Sequence, residues 1–362
     1  MNKRIVFYIT GHGYGHASRN VAIIKQLLKS EEDVEIWVKS DGERISFLRR
    51  NLSDVGMNIQ YASDYYDIGF PLDPHTYEVD TDKLYEQAKY EVKRWKEYIK
   101  KESDFLKEKK IEVIVSDVIP WVFYAADFLH IPSILLCNFT WYEMYKDYLP
   151  AELSEYYFKA YNLADKILLY DLGNKEILNI YNNVDRLSLI SRAVNVENAE
   201  KISKKYKHPI FFVSVGQSIV MEQKYDVSQV PGTFIKTQGV GITGKNVVEL
   251  PPDMIDTQDY IRASDYVISK TGWSSLAEIF LNRKRAAIVA TGDNPEDNAV
   301  IQEIRDRECA AVIHFDDLKH MDLIIDKMKA LKLEKLEWFK DDTERAVSYI
   351  MNIQKIAKKQ EG

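Results

Sequence analysis

The residues best equipped for chemistry lie in the loop Gly11-His12-Gly13-Tyr14-Gly15-His16. An apolar run at 5–10 leads into it, and a helix is expected from about residue 17. Glycines let the backbone adopt positive φ and approach a ligand closely, while a helix start offers unpaired N–H groups to anions. Either histidine could take a proton near neutral pH, and the helix dipole disfavours the cationic form of His16. A neutral imidazole is what a general base requires. The bland alternative is that a histidine only caps or packs the loop. Arg19, one turn further on, suits a phosphate or carboxylate, or is a plain surface arginine.

Two familiar phosphate motifs do not fit. A dinucleotide fingerprint beginning at Gly11 needs a third glycine where His16 stands, and no P-loop pattern is present.

Downstream, Asp117 follows a strand and precedes Pro120, where a carboxylate could orient a histidine, act as base itself, or simply cap a turn. Asn138, Thr140 and Trp141 close the next strand, with an aromatic suited to a sugar face. In the second half, Lys270-Thr271-Gly272-Trp273-Ser274-Ser275 reads as strand, tight turn and helix start. Its amides and hydroxyls could cradle a diphosphate. Glu278, one turn in, could accept both hydroxyls of a ribose; alternatively Ser275 and Glu278 form a capping box with no ligand. The loop 291–298 offers Glu296, Asp297 and Asn298 to sugar hydroxyls, or serves as a turn capped by Asn294. Gly216 and Gln217, after the first strand of that half, could contact phosphate or ribose.

The elements that must position these residues alternate as βα units. Strands are expected at 5–10, 34–38, 58–62, 112–116, 133–137 and 166–170, with a long helix at 82–109 and an extended piece at 187–191. A second series follows at 210–215, 233–236, 246–250, 266–269, 285–290 and 311–314. Its helices are expected near 258–263, 274–281, 295–305 and 318–329, before a lysine-rich helical stretch at 333–359. The chain has 362 residues, beyond the usual limit of a single core. The expected fold class is α/β: two Rossmann-like domains with parallel sheets facing a cleft, at 1–200 and 201–335. A terminal helix at 336–362 returns to the first domain.

A net charge of −7 argues against a nucleic-acid partner. Two distant cysteines, Cys137 and Cys309, make neither a disulfide framework nor a metal site. No run approaches a membrane span. A cytoplasmic protein is expected, with peripheral membrane contact left open.

Taken together these residues resemble the GT-B nucleotide-sugar glycosyltransferases, particularly the lipid-linked GlcNAc transferases (family 28-like). There a glycine-rich loop ending in Gly-His opens the acceptor domain, and a Gly-to-Glu helix holds the nucleotide; the corresponding positions are Gly15-His16 and Gly272 through Glu278. The chain resembles still more the glycosyltransferase-like half of plant arabinokinase and its stand-alone microbial relatives. That likeness rests on Phe7 through Arg19, Val115-Ser116-Asp117-Val118-Ile119-Pro120, Cys137 through Trp141, Leu250-Pro251-Pro252 and Ala263-Ser264-Asp265. Departures are the thinned Gly216-Gln217 run, a bulky Trp273, and Glu296-Asp297-Asn298 where the cell-wall enzymes carry glutamines.

The resemblance implies a hexosyl- or N-acetylhexosaminyl-transferase with a UDP-type donor and an acceptor that is a sugar, glycolipid or small molecule. His16, His12 and Asp117 would be catalytic. Gly13, Gly15, Arg19, Gly216, Gln217, Lys270, Thr271, Gly272, Ser274, Ser275, Glu278, Glu296, Asp297 and Asn298 would bind the nucleotide sugar. No tightly bound cofactor or metal is implied. Two alternatives stand beside it. One is a nucleotide-sugar hydrolase using His16 on water, since Gly13-x-Gly15-His16-x-x-Arg19 also fits that loop. The other is a non-catalytic nucleotide-sugar-binding protein.

Overall fold

The computed structural model describes residues 2–31, 33–56, 58–64, 67–71, 79–215, 221–290 and 294–360, with side chains described up to 353. Of the expected site, Gly216, Gln217 and the loop residues 291–293 lie outside the described residues. The chain divides into two units: Met1–Ser188 with Asn294–Glu296 and Asp342–Gly362, and Leu189–Asp293 with Asp297–Asp341.

In the first unit the strands are β1 (Lys3–Ile9), β2 (Val34–Ser40), β3 (Ile59–Ser63), β4 (Val113–Asp117), β5 (Ser133–Cys137), β6 (Lys166–Tyr170) and β7 (Val184–Leu187). They form one sheet in the order β3-β2-β1-β4-β5-β6-β7, with every pairing parallel. Parallel strands covered on both faces read as unbroken apolar runs, which is why Ile5 to Ile9 and Ile134 to Cys137 are all buried. The helices are α1 (Tyr14–Ser30), α2 (Gly42–Asn51), α3 (Thr81–Lys109), α4 (Val122–Leu129), α5 (Trp141–Tyr145), α6 (Ala151–Asn162) and α7 (Ile177–Ile180). On α3, Leu84, Ala88, Glu91 and Trp95 form one buried stripe at spacings of three and four, a carboxylate among apolar neighbours.

The second unit contains α8 (Val196–Lys205), β8 (Ile210–Ser214), β9 (Tyr225–Asp226), β10 (Thr233–Lys236), β11 (Ile242–Thr243) and β12 (Val247–Glu249). There follow α9 (Thr257–Ala263), β13 (Tyr266–Lys270), α10 (Trp273–Leu281), β14 (Arg285–Val289), α11 (Pro295–Arg307), β15 (Ala311–Ile313) and α12 (Met321–Ala330). Its main sheet runs β12-β10-β8-β13-β14-β15 and is again parallel, with β9 and β11 as a separate pair. Phe211 stacks on Phe234 at 4.4 Å and on Tyr266 at 5.3 Å across three neighbouring strands of this sheet. A last helix, α13 (Thr343–Gln360), packs against α1 in the first unit, where the Lys3 ammonium bonds the Met351 carbonyl at 2.6 Å.

Most expected elements appear within a few residues of their limits. The short β9 and β11 are additions, since two-residue strands carry no periodicity to detect. The stretch expected as one helix at 333–359 is instead a 3-10 turn at Leu333–Leu336 followed by α13. Asp341 bridges Leu189 between them.

The second sheet has the 3-2-1-4-5-6 order and the first has the same order extended by β7, with the switch point in each between its first strand and the neighbour on the other side. In the first unit that point is between the ends of β1 and β4, at the Gly/His loop and Asp117. In the second it is between β8 and β13, where Thr271 and Gly272 begin.

Candidate functional site

The register of the first sheet pairs Ile9 with Asp117, and the Thr10 amide bonds the Asp117 carbonyl at 3.3 Å. The Gly/His loop and the Asp117 carboxylate are therefore brought together from 101 residues apart. α1 starts earlier than the sequence suggests: Gly13, at φ 82°, is its N-cap, and Tyr14, Gly15 and His16 form its first turn. Only glycine adopts that φ readily. The turn swings the buried His16 imidazole toward β4, with Nδ1 2.7 Å from Asp117 Oδ1.

Asp117 is the hub of a buried network. Arg19 grips it through Nε at 2.7 Å and through Nη2, Asn20 Nδ2 donates to it at 2.6 Å, and Arg19 Nη1 donates to Asn138 Oδ1 at 2.7 Å. The guanidinium also lies over the Tyr170 ring at 5.0 Å. Arg19 is 2% exposed, so the anion it meets is the protein's own carboxylate, not a surface ligand. The sequence left phosphate, carboxylate and plain surface exposure open for Arg19, because the sheet register that delivers Asp117 is a tertiary fact.

Burial alone would raise the Asp117 carboxyl, but the charges of Arg19 and then His16 outweigh it and hold the group at about 2. Asp117 is ionised throughout the physiological range. The His16 imidazole is pushed below 6.5 by burial and by Arg19, against an opposing pull from Asp117, so it is neutral near pH 7. Nδ1 also lies 2.8 Å from Arg19 Nη2. Arg19 already has bidentate acceptors in the ionised carboxylate, so the Nδ1 proton is assigned to the bond with Asp117. Nε2 is then left with its lone pair. The ring stands edge-on to Phe139, with centroids 5.6 Å apart.

Val118, immediately after Asp117, is fully buried at φ 61°. A β-branched residue there is strained, and such strain gathers where surrounding structure fixes a functional group. The Tyr161 hydroxyl donates to its carbonyl at 2.6 Å and helps hold that conformation.

His12 takes a different place. Its amide bonds Thr10 Oγ1 at 3.0 Å, and its ring stands edge-on to Trp141 at 5.3 Å. A Cβ on Gly69 would come within 2.6 Å of His12 Nδ1, and Gly69 has φ +64°, so a glycine is required opposite the ring. Trp141 is buried, stacked on Tyr145 with centroids 5.1 Å apart. Thr140, one residue earlier, forms a capping box with Glu143.

In the second unit α10 begins at Trp273 with Gly272 as N-cap and no side-chain cap, so Ser275 and Glu278 do not make the capping box. Glu278 is buried and its Oε1 accepts from Arg192 Nε at 2.8 Å. Arg192 also bonds the Ile255 carbonyl and Thr257 Oγ1. Thr271 Oγ1 bonds Asp297 Oδ1, which ties the turn before α10 to the start of α11. Lys270 and Ser275 are half-buried, Ser274 is buried and Asn298 is exposed. Asn294–Glu296 group with the first unit, where Glu296 accepts from Asn138 Nδ2 at 2.7 Å.

Sequence reasoning did not single out Asn20, Tyr170, Asp67, Glu91 or Arg192. Glu91 carried a usable signal, being the charged member of the apolar stripe of α3. Asp67 did not: it is a loop residue whose bond from Thr10 Oγ1 exists only in the fold. Among the described residues, no group of three or more His, Cys, Asp or Glu is placed to hold a metal. Nor is any helix among them long and apolar enough to cross a membrane.

The architecture is the GT-B fold of nucleotide-sugar glycosyltransferases. Residues 3–163 match the model of a family described as Glycosyl transferase family 1. Over 298 residues the chain is 24% identical to the L-arabinokinase of Arabidopsis thaliana, which covers 76% of this chain. That is 27% of the kinase's own length, so the chain spans about a quarter of this relative.

Solved structures of similar fold include Phytolacca americana UGT2, complexed with UDP-2fluoro-glucose and pterostilbene. It has a TM-score of 0.68 at 12% identity, covering 99% of this chain and 100% of that one. A UDP-glucosyltransferase from Polygonum tinctorium capable of glucosylating indoxyl scores 0.68 at 12% identity, with 100% and 99% covered. The calicheamicin glycosyltransferase CalG4 scores 0.60 at 11%, with 100% and 98% covered.

Proposed function

We propose that the protein transfers a glycosyl group from a nucleotide-diphosphate sugar to a hydroxyl acceptor, with His16 as general base. The observation that carries this reading is the buried pair of neutral His16 and ionised Asp117, 2.7 Å apart. His16 Nε2 takes the proton of the acceptor hydroxyl as its oxygen attacks the anomeric carbon. The bond from that carbon to the diphosphate breaks, and the nucleoside diphosphate leaves with the electron pair. Asp117 stabilises the imidazolium formed meanwhile, and Arg19, Asn20 and Asn138 keep the carboxylate in place. His12, against Trp141, lines the acceptor side.

The UDP-sugar complexes among the structures of similar fold support a nucleotide-sugar donor, which is assigned here to the second unit. The first-turn amides of α10, with Thr271, Gly272, Ser274 and Ser275, would receive the diphosphate. Glu278, held by Arg192, would receive the ribose, while Lys270, Gly216 and Gln217 would flank the phosphates. Glu296, Asp297 and Asn298 would face the sugar, and the helix start at Gly13 and Gly15 its diphosphate side. A hexosyl or N-acetylhexosaminyl group on UDP is the donor class, with the lipid-linked GlcNAc transferases as a functional analogy. No tightly bound cofactor takes part.

Thermal-shift screening of UDP, GDP, dTDP and their sugars identifies the donor, because a ligand bound only by the native state stabilises it. Sugar release is then measured with and without candidate acceptors. Acceptor-dependent release supports transfer, and release equally fast without acceptor replaces transfer by hydrolysis. His16→Ala is expected to lower turnover about 10²–10⁴-fold. Undiminished turnover in that variant removes the base from the scheme.

A further inference from the structure

In the first unit a small chamber of about 10 Å³ lies between α3, α5 and α6, walled by Asp67, Glu91, Trp95, Trp141 and Tyr157. It is large enough for one water-sized group. It shares Ile68 and Glu91 with an open cleft of about 440 Å³, whose walls include Tyr90, Arg94 and Tyr98. Among the described residues, four polar atoms on the chamber's walls have no hydrogen-bond partner: Glu91 Oε1, the Trp95 and Trp141 indole N–H groups and the Tyr157 hydroxyl. The Trp141 N–H is beside the Asp67 carboxyl and favours its ionised form, whereas the other three have no such neighbour. Their residues are 6%, 4% and 2% exposed. Leaving three buried polar atoms unsatisfied together is costly, and native proteins rarely do so without a ligand or an ordered water.

The donor–acceptor pattern narrows the occupant. Two of the atoms are on donor groups and one belongs to a carboxyl. A hydroxyl group has two lone pairs and one proton, so it can accept from Trp95 and Tyr157 and donate to Glu91. An ammonium has no lone pair for the Trp95 indole; a carboxylate would bury a negative charge beside Glu91 and Asp67, with no cation among the chamber's described walls. The surroundings disfavour an anionic occupant. Burial, then the charge of Asp67, raises Glu91 to about 7, and burial raises Asp67 to about 6, so near neutrality Asp67 is largely ionised and Glu91 is divided between its two forms. In the cleft outside, tyrosine rings and the Arg94 guanidinium, which lies over Tyr98 at 4.8 Å, offer the mixed stacking and polar surface that suits a sugar ring. The chamber also borders the Gly/His loop. Trp141 is one of its walls and meets the His12 ring edge-on, and Asp67 accepts from Thr10 at the loop's start.

We propose that this chamber receives one hydroxyl group of a polyhydroxylated ring seated in the adjoining cleft, and that this ring is the glycosyl acceptor. The acceptor's role rests on the transferase reading above; the binding itself does not. The anchored hydroxyl differs from the reacting one and fixes the ring's orientation. Glu91, Trp95 and Tyr157 are thus acceptor-binding residues.

The test uses the full chain and a panel of D-glucose, D-galactose, L-arabinose and myo-inositol, followed by tryptophan fluorescence, since Trp95 and Trp141 wall the chamber. At least one member is expected to give a saturable change, and Tyr157→Phe is expected to weaken it about tenfold. Tyr157→Phe removes a hydroxyl without a partner, so its melting temperature is expected to equal or exceed that of the parent; this separates lost binding from lost folding. A chamber that holds only water would give no saturable response, or one unmoved by Tyr157→Phe, and either result overturns the proposal. Binding without any sugar transfer would leave this inference standing and remove the transferase reading. Transfer to a panel member with an acceptor KM unchanged in Tyr157→Phe would do the opposite.

Discussion

Replacing Asp117 by asparagine is the most informative single change, because it keeps the shape of the hub and removes its charge. Asp117 accepts from Arg19 Nε and Nη2, Asn20 and His16, all inside a site where Arg19 is 2% exposed. Removing one partner of a buried pair strands the other charge and costs about 3–5 kcal/mol. Arg19 would keep Asn138 and the Tyr170 ring, so the lower end applies, about 3 kcal/mol. For a unit near 200 residues this lowers the melting temperature by roughly 6–12 °C.

Chemistry changes as well as stability. With no carboxylate to hold it, Arg19 Nη2, 2.8 Å from His16 Nδ1, becomes the donor to that nitrogen, and the proton moves to Nε2. The histidine is then the wrong tautomer for a base, an error that elsewhere costs about 10⁴ in kcat. Calorimetry and nitrogen-15 shifts of the His16 ring measure the two effects without any assumed substrate. A melting temperature within about 1 °C of the parent, together with an unchanged Nδ1–H signal, would refute this account of the hub.

Other expectations follow from the same structure. His16 is depressed below 6.5, so the acid limb of a pH–rate profile should fall below pH 6.5. Its contribution to stability, from being neutral when folded, is present above 6.5 and lost as pH drops through the depressed value. His16→Gln should abolish that slope in pH-dependent denaturation. Glu91 is raised from 4.5 to about 7, so the sign reverses: its neutral form stabilises the fold below 4.5 and that advantage is lost as pH rises through about 7. Glu91→Gln should therefore raise the melting temperature at pH 8 more than at pH 4; an equal shift at both would contradict a protonated Glu91. In the second unit, Arg192→Met leaves Glu278 buried without its cation and should cost about 3 kcal/mol in urea denaturation. Glu278→Gln strands the Arg192 guanidinium in turn and should cost less, because Arg192 keeps the Ile255 carbonyl and Thr257 Oγ1. A cost near zero for both variants would show that the two charges do not balance each other.

Much of this protein was set by local sequence. The alternation of apolar runs with amphipathic stretches places most strands within a few residues of their observed limits, because a strand buried on both faces must be apolar throughout. Gly272 marks the start of α10, since glycine is accepted at an N-cap, whereas the start of α1 at Gly13 was not legible. Which side chains meet was decided by tertiary structure. Register alone sets Ile9 beside Asp117, and so gives His16 a carboxylate and Arg19 an internal anion. Likewise Glu278 finds Arg192 from 86 residues away. The chamber at Glu91 needed α3, α5 and α6 to converge before its polar atoms could be seen without partners. Periodicity and turn chemistry act over a few residues and can be read along the chain. The charge and burial that make a histidine a base depend on groups the chain brings together only when it folds.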